Sequence, residues 1–286
     1  MDNMKNTKSI KNATQTKTVK NVKGLTSLKI LNTVTFLFMV LVNVLANTLP
    51  LNNANTGQVS DSYPNLFAPA AFTFAIWGLI YFLLALFLLY QWGLFNGSND
   101  TRKNEIVKKI SRYFILSSLA NAAWIFAWHS HRIPLSVLFM LILLACLAAI
   151  AGILTKEEFS LKEIILMRLP FSIYFGWVTV AALANIVVLF VSLGWSGWGG
   201  PEQFRTAIML MLGLIIGVWI MMKNKDIAYG LTVIWAYAGI LVKHLSANGF
   251  QGQYHAIVIT TSICIAVLAL TVLFVWAAKK THPLKL

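Results

Sequence analysis

Eight apolar runs, each close to the length of a bilayer span, follow one another along the chain at residues 30–48, 69–92, 113–130, 134–154, 168–193, 205–222, 227–247 and 255–278. A helix needs roughly 20 apolar residues to cross the hydrocarbon core, and lipid offers no hydrogen-bond partner to an open backbone. Runs of this kind therefore fold as packed helices. The composition agrees, with 58% hydrophobic residues, 11% charged residues and a mean hydropathy of +0.72. The expected fold is an all-α integral membrane protein with eight transmembrane helices, and the lipid bilayer is its first partner.

The net charge of +14 is partitioned between the two ends of these spans. Residues 1–29, 93–112, 155–168, 223–226 and 279–286 hold 20 of the 23 Lys and Arg, while Arg132, Arg205 and Lys243 fall on the opposite side. By the positive-inside rule both termini are expected in the cytoplasm, as an even number of spans requires. The same distribution speaks against a nucleic-acid partner, which would need a basic stripe on one folded face. Residues 1–29, rich in Lys, Asn and Thr, are expected to form a disordered basic cytoplasmic tail. The expected location is a bacterial cell membrane, crossed several times.

Enzyme signatures are missing. The chain has no Walker loop, GxGxxG, HExxH or GxSxG, and no Asp or Glu lies well inside an apolar run. Cys146 and Cys264 sit near the middle of spans without CxxC spacing. No catalytic residue, metal ligand or cofactor is expected. His129, His131, His244 and His255 all fall on the outer side, and are read as interfacial histidines rather than a metal set.

What remains inside the spans is Trp, Tyr and Asn, and these are ordered. In span two, Pro69 stands where a helix begins without wasting an amide proton, and Trp77 and Tyr81 are four residues apart on one face. In span three, Asn121, Trp124 and Trp128 share a face. In span five, Tyr174, Ala181 and Asn185 lie on one stripe with Trp177 at its edge, on a helix kept slim by Gly176, Ala181, Ala182 and Ala184. Slim helices bring neighbouring backbones close, and large aromatics on them can line a pocket. Trp92, Trp195, Trp198 and Trp276, near span ends, read as interface anchors.

These blocks resemble the TspO/MBR family, the tryptophan-rich sensory proteins that include the mitochondrial translocator protein. The matching elements are Pro69 with Trp77 and Tyr81, then Asn121 with Trp124, then Tyr174 and Trp177 followed by Asn185, the last in the family's W-x-x-x-A-x-x-x-N pattern. The resemblance covers roughly residues 30–193, the length of the family's five-helix unit. It implies a five-helix bundle with a pocket capped by the loop between spans one and two, here residues 49–68. It also implies a ligand of the porphyrin, haem-like or sterol-like kind, bound by a sensor or transporter; a homodimer and porphyrin breakdown come with the resemblance alone.

Two departures stand out. The family's lid and second span usually carry a W-Y-x-x-L-x-K-P element and a further Trp, whereas this lid has no Trp, Lys or Arg and the corresponding span-two position is near Ala71. The second is length: residues 194–286 add a three-helix membrane extension behind the link GWSGWGGPEQF. Lys243, near the end of one added span, is expected to snorkel to the membrane surface. The leading expectation is a membrane-embedded binding, sensor or transport protein for an amphipathic aromatic or tetrapyrrole-like small molecule. Trp77, Tyr81, Asn121, Trp124, Tyr174, Trp177 and Asn185 are its candidate ligand-binding residues. The alternative is an eight-span secondary transporter of a small solute, with a site shared between 30–193 and 194–286.

Overall fold

The computed structural model describes residues 2–49, 54–95, 101–195 and 200–281, with side chains between 24 and 279 of these. The link residue Trp198 lies outside them. The long helices are α1 (Asp2–Thr48), α2 (Ala71–Gln91), α3 (Thr101–His129), α4 (Ile133–Leu154), α5 (Leu161–Ser192), α6 (Glu202–Asn224), α7 (Ile227–Leu245) and α8 (His255–Thr281). The backbone of α1 is helical back to Asp2, through the stretch read from composition as an unstructured tail.

Seven of these helices, all but α3, are long and apolar enough to cross a membrane. The expectation of eight spans thus becomes, among the described residues, eight long helices of which seven meet that test. The exception has a physical origin. The first turns of α3, TRKNEIVKKISR, are charged, and its apolar half buries Ser117, Ser118 and Asn121 against neighbouring helices. A helix enclosed by other helices can carry polar groups that a lipid-facing one cannot.

The packing order explains where the pocket falls. Helix α3 lies between α1 and α4, α4 packs on α5, and α8 closes against α6 and α7. Helix α5 meets α2, α4, α6 and α7, and so joins the first five helices to the last three. Gly176 makes the α5–α7 approach possible: a Cβ there would come within 2.8 Å of the Tyr229 carbonyl oxygen and of Thr232 Cβ. Near its start α5 passes through one π turn, Ile164–Arg168, just before Pro170, whose ring nitrogen has no proton for the carbonyl four residues back. Farther along α1, Asn32 Nδ2 donates to Gln91 Oε1 at 3.0 Å and to Ser111 Oγ at 2.9 Å, tying α1, α2 and α3 together at the end remote from the pocket. Cys146 and Cys264 are buried and unpaired.

Between α1 and α2, residues 54–70 fold back over the opposite end of the bundle. This lid contains a short helix, Thr56–Asp61, started by a capping box in which the Asn55 side chain accepts from the Gln58 amide and the Gln58 side chain accepts from the Asn55 amide.

Candidate functional site

Trp77 is the hub of an aromatic cluster beneath the lid. Its ring stacks on Tyr81 at 5.6 Å and on Trp124 at 6.0 Å, and meets Tyr174 and Trp177 edge-on at 5.9 Å and 6.2 Å. Trp124 stacks in turn on Trp128 at 6.0 Å, and Phe74 meets Trp177 edge-on at 5.9 Å. Offset stacks and edge contacts of this kind are the arrangements the ring quadrupole favours. Residues from α2, α3 and α5 thus converge as the spacing within each helix anticipates.

The seven candidate residues divide into three groups. Trp77, Trp124, Trp177 and Asn185 line a small cavity of about 50 Å³ directly under the lid. Asn121 and Tyr174 lie below it in a hydrogen-bonded chain: Asn43 Nδ2 donates to Asn121 Oδ1 at 2.7 Å, and Asn121 Nδ2 donates to Tyr174 OH at 2.9 Å. That chain crosses from α1 through α3 to α5, so these two side chains lock helices. Tyr81 lies to the side, lining a separate groove of about 420 Å³ between α1, the lid and α2.

Asn185 does both jobs. Ser136 Oγ donates to its Oδ1 at 3.2 Å, which ties α5 to α4, and its Nδ2 is buried at the cavity with no hydrogen-bond partner. The same holds for two neighbours. The indole Nε1 of Trp124 and of Trp177 are buried without a partner, on side chains 5% and 3% exposed. A buried N–H left unpaired costs roughly 1–3 kcal/mol, so an acceptor that reached these groups would be favoured.

The cavity and the side groove share Thr56, Phe74 and Trp77 in their walls. Ala71, where the resembling family usually has Trp, borders the groove rather than the cavity. The small side chain there leaves the groove open toward α1.

Several contributors escape a reading of helix periodicity. The roof is Thr56, Ser60, Asn65, Phe67, Ala68 and Pro69, from the lid. Ala236, from α7 in the extension, completes the wall. Trp128 lines the cavity and also donates from Nε1 to the Thr56 carbonyl at 3.1 Å; its place four residues after Trp124 was the available signal. The histidines also take positions that spacing does not indicate. His129 Nε2 lies 3.2 Å from Thr56 Oγ1 and His131 Nδ1 lies 2.9 Å from Tyr63 OH, so the α3–α4 turn holds the first half of the lid. Lys243 Nζ pairs with Asp61 of the lid at 3.6 Å.

A bundle of long apolar helices with an aromatic cavity beneath a folded-back lid defines a multi-pass helical membrane protein. The chain belongs to the TSPO-like protein family, whose model matches residues 29–274. The match continues past residue 193, so most of the three-helix extension lies within it. No curated protein and no solved structure matches the chain.

Proposed function

We propose that this protein is a membrane-embedded binding protein, with a sensing or transport role, for an amphipathic molecule that has a flat apolar body and a hydrogen-bond acceptor. The observation that carries this reading is the pair of buried, unpartnered indole N–H groups of Trp124 and Trp177 at one aromatic cavity. An indole N–H can only donate. A carbonyl, carboxylate or ring oxygen that reaches either N–H would satisfy it, while Trp77 supplies a stacking face. The Asn185 amide can turn to meet a donor or an acceptor. Porphyrins, haem-like tetrapyrroles and sterol-like ketones all have this combination.

The cavity of about 50 Å³ has room for no more than a water or two, whereas a ligand of this size needs several hundred. Binding in this reading therefore includes a rearrangement of the lid or of the shared wall. Rotation of Trp77 and Phe74 would join the cavity to the 420 Å³ side groove. The excess of Lys and Arg at the end remote from the lid supports a topology with both termini in the cytoplasm and the lid outside. No catalytic step is part of this proposal.

A carrier with a site shared between 30–193 and 194–286 is the second reading, and Ala236 in the cavity wall is the observation in its favour. Both readings are tested by tryptophan-fluorescence quenching of the purified full-length protein against protoporphyrin IX, a sterol and a carotenoid precursor. At least one compound should quench, with affinity about tenfold weaker in Trp124→Phe and Trp177→Phe, which keep a ring but lose the donor. If none of the three quenches the native protein, the ligand class is wrong. Accumulation of the bound compound inside proteoliposomes would select the carrier.

A further inference from the structure

The lid is held from two sides, and the second side belongs to the extension. Leu66, 2% exposed, has both backbone groups claimed by side chains of different added helices. Its N–H donates to Glu202 Oε1 of α6 at 3.1 Å, and its carbonyl is 2.9 Å from His244 Nε2 of α7. A carbonyl only accepts, so His244 carries its proton on Nε2. The ring is fully buried and held in place by Phe250 at 4.7 Å and Tyr254 at 5.9 Å.

The contacts continue along the chain. The Ala70 N–H donates to the Gly239 carbonyl at 3.0 Å, and Trp235 Nε1 donates to the Thr73 carbonyl at 3.1 Å. Between these anchored points run Phe67, Ala68 and Pro69, the second half of the cavity roof. This part of the roof is suspended between bonds made by α6 and α7.

We infer that the three-helix extension is a latch for the lid, with Glu202 and His244 as positioning residues that set how often the roof opens over the cavity. This inference rests on the binding reading above for its consequence, ligand access, but the latch is a property of the protein without ligand. Helices α1–α5 supply the cavity floor and one hinge of the lid, through Trp128, His129 and His131. The extension supplies the other. Release of Leu66 loosens the roof at Phe67–Pro69 while leaving the aromatic cluster packed. Truncating the extension would for this reason alter binding even if no ligand atom touches it.

The test uses hydrogen–deuterium exchange of the full-length protein in nanodiscs, read on peptides covering residues 62–70, together with the rate of tryptophan quenching by protoporphyrin IX. Glu202→Ala removes the acceptor at an exposed position. Glu202→Gln keeps it. His244→Phe keeps the ring against Phe250 and removes the donor. Exchange at 62–70 should accelerate about three- to tenfold in Glu202→Ala and in His244→Phe, as expected for one lost hydrogen bond, and stay at the native rate in Glu202→Gln. The quenching rate should rise in the same order. Unchanged exchange in both Glu202→Ala and His244→Phe overturns the latch, as does Glu202→Gln behaving like Glu202→Ala. Accelerated exchange with no quenching of any form of the protein upholds the latch and removes protoporphyrin IX from the ligands.

Discussion

The rings of Trp77 on α2 and Trp124 on α3 stack at 6.0 Å with 28° between their planes, and this contact joins two helices that otherwise touch little. It also divides the cavity under the lid from the side groove, since Trp77 borders both. Trp77→Ala should therefore lower stability by about 3 kcal/mol, the usual cost of deleting a large packed aromatic, and merge the two spaces into one. Thermal unfolding in detergent, followed by tryptophan fluorescence, measures the first effect. Uptake of a small environment-sensitive dye in the variant but not the native protein measures the second.

The Asn121–Tyr174 bond is predicted to stabilise the bundle without touching ligand. Asn121→Ala and Tyr174→Phe should each be mildly destabilising, with a coupling energy of about 0.6–2 kcal/mol in a double-mutant cycle. Probe affinity should change far less than in Trp124→Phe. A loss of affinity equal to that of Trp124→Phe would place the pair in the ligand site instead.

Gly239 is where α7 comes against the start of α2. A Cβ at this position would stand 2.1 Å from Thr73 Oγ1 and 2.9 Å from Thr73 Cβ, so rotation of the hydroxyl alone cannot relieve the clash. Gly239→Ala should cost about 1–3 kcal/mol and loosen the neighbouring lid bond from Ala70. Combining it with Thr73→Ala removes the nearer contacts and should recover part of the loss; melting temperatures of the two variants decide this.

Ala71 borders an open groove, so a large side chain fits there without displacing its neighbours. Ala71→Trp is expected to change stability by less than about 1 kcal/mol and to slow quenching by protoporphyrin IX by partly filling the space beside Trp77. A large drop in melting temperature would show that the groove is not available to a side chain at 71.

The ladder of apolar runs, the slim face of α5 and the aromatic stripes on α2, α3 and α5 were legible because each is a property of one helix. Periodicity places Trp77 with Tyr81, and Trp177 near the stripe of Asn185, whatever packs against them. Span ends were less sharp, as with α3, whose helix starts in a charged segment at Thr101 rather than with its apolar half. The extension looked separate because its link is rich in Gly and Trp. Its contacts with the lid could not be read there, since backbone-to-side-chain bonds such as Leu66 to Glu202 span 136 residues and leave no local pattern.

Hydropathy and charge by themselves determined a helical membrane protein, because lipid admits few backbone solutions and the apolar runs select one of them. They also determined which residues share a helix face. Only the tertiary structure decided that Asn121 and Tyr174 lock helices while Trp124 and Trp177 line a cavity with their N–H groups buried and unpartnered. It alone brought Glu202 and His244 to Leu66. Those outcomes depend on the rotation and spacing of helices relative to one another, which side-chain packing sets and no single segment encodes.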